Sequence, residues 1–295
     1  MVAPFMKDVP MHLSPSQITH LETIAIDAGN AIMQIRKRGV ERDHKADGSP
    51  VTAADLAADE IITSGLLEIA PSLPAITEET YTGEDDHEPG EYWCVDPLDG
   101  TKGYINGGKD FTVNIALIRD RHPVLGVIYA PATGTLWAGA ECKAWKRQAD
   151  ISGQDDLLTK ASLDDLGAAF PISSRKVRRE DPDVVATRAH RGPALEAWIA
   201  RIGAQSSVAV GSSLKFCVIA EGEADLYPRI GPTMEWDTAA GQAIVEASGG
   251  LVIGPDGTPF GYGKPGRLNG YFAAMGQVDG SVPSEWIPPH EGGDG

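Results

Sequence analysis

Two carboxylates stand three residues apart in Asp96-Pro97-Leu98-Asp99-Gly100-Thr101, directly after the short apolar run Trp93-Cys94-Val95. Pro97 sets its own φ and pushes the residue before it toward extended backbone. Gly100 permits a left-handed or closely approached backbone, and Thr101 offers a hydroxyl where a helix would begin. A strand-to-helix corner of this kind aims two carboxylates, a carbonyl and a hydroxyl at one point. Hard divalent cations take that set of oxygen ligands. The same residues also suit a plain Asp-Pro turn with a Gly and a Thr cap.

Three more acidic segments extend the pattern. Glu78-Glu79 follows another short strand, Pro74-Ala75-Ile76-Thr77. Asp55 falls in the first turn of a helix predicted from about Thr52 to Ile69. Asp237, in Glu235-Trp236-Asp237-Thr238-Ala239-Ala240-Gly241, would cap a small-residue helix, where exposed N–H groups also favour phosphate. Each alone has an ordinary alternative: a solvated turn, dipole compensation, an N-cap. A D-x-D-x-T signature, as in haloacid dehalogenases, is rejected, because here the carboxylates are three apart with Pro between them.

The elements that must position these groups read as follows. Ser14-Pro15 caps a helix whose apolar face is Ile18, Leu21, Ala25, Ala28, Ile32 and Ile35, stopping at Arg36-Lys37-Arg38-Gly39. The polar stretch from Val40 to Pro50, with Asp47-Gly48, reads as a hairpin-like turn. The second helix turns Leu56, Ile61, Ile62, Leu66 and Ile69 inward and ends before Pro71 and Pro74. Phe111–Ile118, Val124–Tyr129 and Gly134–Trp137 read as strands. The second half alternates: helix over Leu195–Ile202, strand at Asp225–Tyr227, helix over Trp236–Ser248 with Gly249-Gly250 as its stop, then strands at Leu251–Ile253 and Tyr271–Ala274. A polar composition shift places the division at 13–160 and 161–280, with flexible tails at 1–12 and 281–295.

Composition narrows the function classes. With 25 Lys and Arg against 42 Asp and Glu, the net charge of −17 opposes a nucleic acid polymer and a basic membrane-docking surface. No stretch approaches a membrane span and no secretory signal is visible, so no integral membrane contact is expected. Three cysteines, Cys94, Cys142 and Cys217, without C-x-x-C spacing, suit reduced thiols in a cytoplasmic protein. A small anionic ligand stays open, because a local site can oppose the overall field.

Taken together and in order, the four acidic segments resemble the lithium-sensitive inositol monophosphatase superfamily. Its pattern is a T-x-x-D segment, an E-E pair, D-P-[IL]-D-G-T and W-D-x-A-A-G, here spanning Thr52 to Gly241. Within it, Gly211–Cys217, Ala220–Arg229 and Gly231–Asp237 look like the bacterial 3′(2′),5′-bisphosphate nucleotidases, and Thr187-Arg188-Ala189-His190 is similar to their S-R-x-H. The stretch from Ala144 to Arg179 and both tails match less closely.

The resemblance implies a layered α-β-α-β-α sandwich of the sugar-phosphatase type. An α+β half would carry most metal ligands, and an α/β half would supply Asp237 and the nucleotide contacts. Glu78, Asp96, Asp99, Asp237 and the Leu98 carbonyl would bind two or three Mg²⁺, with Glu79 beside them. Thr101, oriented by Asp55, would help activate the attacking water; Glu78 shares the catalytic and substrate contacts. Leu98, Asp99, Gly100, Thr101 and Asp237 would hold the scissile phosphate, and His190, Ser212, Lys215 and Arg229 the nucleotide or its second phosphate. Lys215 and Arg229 also have the alternative of pairing with Glu221, Glu223 or Asp225.

The activity implied is hydrolysis of adenosine 3′,5′-bisphosphate to AMP and phosphate, sensitive to Li⁺ and clearing a by-product of sulfate assimilation. An inositol, histidinol or sugar monophosphate phosphatase is the alternative, and a metal-binding regulator without turnover the remote one. The partner would be a small nucleotide, with monomer and homodimer both open. The family's peripheral association with the cytoplasmic face of the inner membrane has no visible anchor here.

Overall fold

A computed structural model of the chain describes residues 13–39, 42–44, 50–83, 90–151, 163–186, 192–204 and 207–290. Helix α1 (Pro15–Arg38) starts on a full capping box: Gln17 N donates to Ser14 Oγ at 3.3 Å, and Ser14 N donates to Gln17 Oε1 at 2.9 Å. It ends at Gly39, where φ is +102°. Strands β1 (Arg42–His44) and β2 (Pro50–Thr52) pair antiparallel, and Asp47-Gly48 lies outside the described residues. Helix α2 (Ala53–Ile69) follows, capped by Thr52.

Seven strands then form one sheet in sequence order: β3 (Ala75–Thr77), β4 (Glu91–Asp99), β5 (Thr112–Arg119), β6 (His122–Ala130), β7 (Thr135–Ala140), β8 (Lys143–Gln148) and β9 (Phe170–Ile172). Only β3 and β4 run parallel within this sheet. The short helix α3 (Thr101–Ile105) interrupts the run after β4. A second sheet has the order β11 (Ser207–Ala209), β10 (Val184–Ala186), β12 (Leu226–Arg229), β16 (Phe272–Met275), β14 (Leu251–Ile253). Helices α4 (Pro193–Ile202), α5 (Leu214–Ala220) and α6 (Ala239–Ala247) flank it, and β13 (Thr233–Met234) pairs with β15 (Leu268–Asn269).

Among the described residues, three apolar cores separate the layers. Leu21, Ile32, Ile62 and Leu66 of α1 and α2 pack on Trp93, Val95, Ile115 and Val127 of the first sheet. The alternate residues Tyr92, Cys94, Ala116 and Ile128 face Phe216, Ala240 and Ile244 of α5 and α6, with Tyr227 and Phe272 of the second sheet beyond. Leu226, Met275 and Ile253 pack under α4 through Trp198 and Ile199. The order is α-β-α-β-α, as the sequence resemblance implied. Gly126 lets α6 lie close on the sheet, since a side chain there would collide with the Ala240 backbone.

Several sequence expectations differ from the structure. Leu56 is 57% exposed and Ile61 only half-buried, because the inward face of α2 is Ala54, Ala58, Ile62, Leu66 and Ile69. Leu56 lies two residues from Ala54, about 200° around the helix. Strand β8 contains no hydrophobic run, because Lys146 pairs with Glu221 on one face and Arg147 with Glu22 on the other. The first sheet continues through β9, so the chain leaves it after Ile172, beyond the division expected near 160. Residues 281–290 are packed rather than a loose tail: Trp286 is 1% exposed, and Trp198 Nε1 donates to the Glu285 carbonyl at 3.1 Å. Residues 1–12 lie outside the described residues.

Candidate active site

The Asp96–Thr101 segment forms the corner its composition anticipates. The β4–β5 register slips between Asp96 and Asp99, Gly100 takes φ +91°, and α3 starts at Thr101. A side chain at Gly100 would sit 2.8 Å from the Asp110 carbonyl, so only glycine fits. Leu98 N donates to Asp96 Oδ1 at 3.0 Å, closing the turn over the first carboxylate.

Asp96, Asp99 and Asp237 converge, each with an oxygen within 4.8 Å of the others. Asp96 is buried, and burial together with Glu78, Asp99 and Asp237 pushes its carboxyl well above the usual range. Burial and the charge of Asp99 push Asp237 up to about 7. Glu78 stands at the end of β3, where its N–H donates to the Val95 carbonyl at 3.1 Å; it and Glu79 are half-buried. Like-charged carboxylates crowded in a low-dielectric place are costly alone and suit a divalent cation. The donor set, all oxygen, fits such an ion.

Asp237 is not an N-cap. It sits in a single 3₁₀ turn, Glu235–Asp237, and its Oδ2 accepts from Met234 N at 2.8 Å, while α6 starts after Thr238. The Trp236 ring, packed edge-on to Tyr81, turns inward and leaves Asp237 facing the cluster side.

Thr101 Oγ1 lies 3.0 Å from the Leu98 carbonyl and 3.2 Å from Asp55 Oδ1. Asp55 Oδ2 accepts from Thr52 N at 2.8 Å and Thr52 Oγ1 at 2.7 Å, so the capping box of α2 and the dyad are one arrangement. Burial raises the Asp55 carboxyl against the pull of the Thr52 donors.

Ser212 serves Asp99 in this structure. Its Oγ donates to Asp99 Oδ2 at 2.6 Å, and its backbone holds φ +53°, uncommon for a non-glycine residue. Ser213, in the same motif but without an expected role, does more. Its N and Oγ donate to Asp99 Oδ2 at 2.7 and 2.8 Å, its Oγ lies 2.9 Å from the Asp237 carbonyl, and Asn114 Nδ2 donates to it at 2.9 Å. Asn114 pairs directly with Asp96 across β4–β5. No local sequence signal marks Asn114; cross-strand register alone places it.

A cleft of about 460 Å³ adjoins the cluster, lined by Asp99, Gly100, Ser212, Lys215, Arg229 and Asp237 among the predicted residues, and by Lys109, Asp110, Gly211 and Tyr227 besides. Lys215 is buried, its Nζ 5.3 Å over the Tyr227 ring and bonded to the Ser212 carbonyl; burial lowers its ammonium to about 8. Arg229 NH2 donates to the Pro232 carbonyl at 3.2 Å, but its Nε is buried and meets no acceptor. Two of the three anticipated competing partners are engaged elsewhere, Glu221 with Trp137 and Lys146 and Asp225 with Arg175 and Arg178, while Glu223 is exposed. His190 lies outside the described residues. A separate cavity of about 330 Å³, between Leu13, His122–Leu125 and Ala243–Ala247, contains none of the predicted residues.

A five-layered fold with a carboxylate trio shared between a strand–helix corner and the 235–237 turn suits a phosphatase, and comparison with known proteins agrees. The inositol monophosphatase family model matches residues 14–275, and the chain belongs to that family. It is 42% identical over 242 residues to the 3′(2′),5′-bisphosphate nucleotidase CysQ of Escherichia coli strain K12, covering 81% of this chain and 91% of that one. It superposes on the crystal structure of CysQ from Bacteroides thetaiotaomicron with a TM-score of 0.72 at 35% identity, covering 90% of this chain and 98% of that one. An inositol monophosphatase from Zymomonas mobilis shares the fold, with a TM-score of 0.68 at 23% identity over 90% of this chain and 95% of that one. Among the described residues no helix is long and apolar enough to cross a membrane.

Proposed function

We propose that the chain hydrolyses the 3′-phosphate of adenosine 3′,5′-bisphosphate, releasing AMP and phosphate, with Mg²⁺ held by Glu78, Asp96, Asp99, Asp237 and the Leu98 carbonyl. The observation that carries the reading is the pairing of a carboxylate trio with a cleft whose wall holds Lys215 and the unpartnered Arg229 Nε. A monophosphate would need only the trio. A second phosphate needs further cations, and a guanidinium with a buried free donor suits it. Two or three bound Mg²⁺ would offset the crowded carboxylates, acidify water and stabilise the leaving oxygen.

This chain's own groups have defined tasks. Thr101 Oγ1 accepts the proton of the attacking water as it passes its own to Asp55 Oδ1, which burial has made more basic than an ordinary carboxylate. Gly100, at φ +91° and packed against the Asp110 carbonyl, sets the corner whose backbone would meet the phosphate oxygens. Lys215 and Arg229 hold the 5′-phosphate, and Glu79 adds charge beside Glu78. The division of labour follows the layers: the first sheet supplies Glu78, Asp96 and Asp99, and the later part of the chain supplies Asp237, Lys215 and Arg229. Li⁺ inhibits, by competition for the carboxylate site.

Steady-state rates with Mg²⁺ on adenosine 3′,5′-bisphosphate and on inositol monophosphate test the reading. A higher kcat/KM for the bisphosphate is expected; a clear preference for the inositol ester overturns it. Purified chain that releases no phosphate from any ester returns the non-enzymatic reading.

A further inference from the structure

Glu235 is fully buried and lies outside the cleft lining. Its carboxylate accepts from Lys264 N at 2.8 Å, Lys264 Nζ at 3.4 Å, Tyr92 OH at 3.2 Å and Arg267 NH1 at 3.3 Å. Arg267 is itself buried and holds φ +56°. Its guanidinium lies 5.1 Å over the Tyr92 ring, and NH1 donates to Tyr92 OH at 3.2 Å. Lys264 Nζ also reaches Asn269 Oδ1 at 3.0 Å, and Asn269 Nδ2 donates to the Met234 carbonyl at 2.6 Å and to Thr238 Oγ1 at 3.0 Å. Residues 264–269 therefore grip the Met234–Thr238 turn at its start, middle and end.

This cluster joins the two elements that meet at the carboxylate trio. Tyr92 belongs to β4, the strand of Asp96, and shares its alternation through Cys94. Glu235 is two residues before Asp237 in the turn. The oxygens of Asp96 and Asp237 lie within 4.8 Å of each other, so the spacing of strand and turn decides whether one ion can reach both. A buried ion cluster is a poor source of stability, because desolvation cancels much of the attraction and apolar residues of like volume pack as well. Its directional bonds, by contrast, set geometry. We propose that Glu235 and Arg267, bridged by Tyr92, are positioning residues: a buried strut between β4 and the 235–237 turn that preforms the spacing of Asp96 and Asp237 for a divalent cation. The inference rests on the cation reading of the trio and adds residues that do not touch the ion.

Mn²⁺ titration of the full chain without substrate, followed by calorimetry and by the Mn²⁺ paramagnetic resonance signal, tests it, with the Tm of the metal-free protein measured beside it. Glu235→Gln and Arg267→Met are expected to weaken Mn²⁺ binding by about tenfold or more, the scale of lost support around metal ligands. Tyr92→Phe keeps the ring in place and removes only the bridging hydroxyl; it is expected to weaken binding severalfold, and it decides the matter should the other two fail to fold. Trp286→Phe, in the core under α4, is the control, expected to lower Tm without moving the Mn²⁺ affinity. Folded variants whose Tm falls while Mn²⁺ affinity stays within about twofold of the parent overturn the strut and leave the cluster a stability element. A parent that binds Mn²⁺ and shows the variant losses, yet hydrolyses no bisphosphate, supports the strut and overturns the nucleotidase reading.

Discussion

Arg229→Ala separates the two phosphates of the substrate. The side chain lies at the end of β12 on the cleft wall, bonded to the Pro232 carbonyl and beside the Tyr227 hydroxyl, with a buried Nε without an acceptor. Removing it frees a carbonyl at an exposed bond, so the fold loses little, and a Tm change of only a few degrees is expected. Substrate binding loses more. One hydrogen bond to a charged group contributes about 1.5–3 kcal/mol. At about 1.4 kcal/mol per factor of ten, kcat/KM for adenosine 3′,5′-bisphosphate should fall roughly 10- to 150-fold. Adenosine 3′-monophosphate offers the same scissile bond and no 5′-phosphate, so its kcat/KM should change by less than about threefold. Arg229 also acts on the Asp237 charge, but that effect is common to both substrates and cancels in the ratio. The assay is phosphate release under kcat/KM conditions at fixed Mg²⁺ and ionic strength. Equal losses on the two substrates would refute the assignment of Arg229 to the second phosphate.

Four further outcomes are expected. Asp99→Asn removes a carboxylate that three donors hold in place; Mg²⁺ affinity should fall more than about tenfold and phosphate release should vanish while circular dichroism stays native. Asp96 and Asp237 bind protons in the metal-free fold that the unfolded chain has already lost above about pH 4. The folded form thus holds more protons, so their contribution falls as pH rises from there through about 7; in chelator Tm should decline across that window, and saturating Mg²⁺ should remove the decline. With Lys215 lowered to about 8, KM for the bisphosphate should rise above that pH while KM for adenosine 3′-monophosphate does not; parallel profiles would contradict its contact with the second phosphate. Leu56→Ser should stay within about 0.5 kcal/mol of the parent in urea unfolding, whereas Ile62→Ala should cost about 2–5 kcal/mol.

The chemistry of this protein is written locally. Asp96, Asp99, Gly100 and Thr101 lie within six residues, and their corner follows from Pro and Gly backbone limits plus a short apolar strand. The helices of the first half are equally local, since Ser14 and Thr52 satisfy orphan N–H groups a few residues away. A hydrophobic run of the right length does not by itself set a helix's angular phase, which is why Leu56 points to solvent. Strand β8 and the packed Trp286 depend on what lies opposite them, a property no window of residues contains. The same holds at the site. Asp237 reaches Asp96 and Asp99 because α6 packs on the sheet and the 235–237 turn is gripped from residues 264–269. Asn114 and Ser213 support the trio through cross-strand register and through a contact 99 residues apart. Residue types and short spacings marked which groups offer oxygens and hydroxyls at the corner. Only tertiary packing decided that they meet, because bringing like charges together within a buried place takes distant bonds to oppose their repulsion.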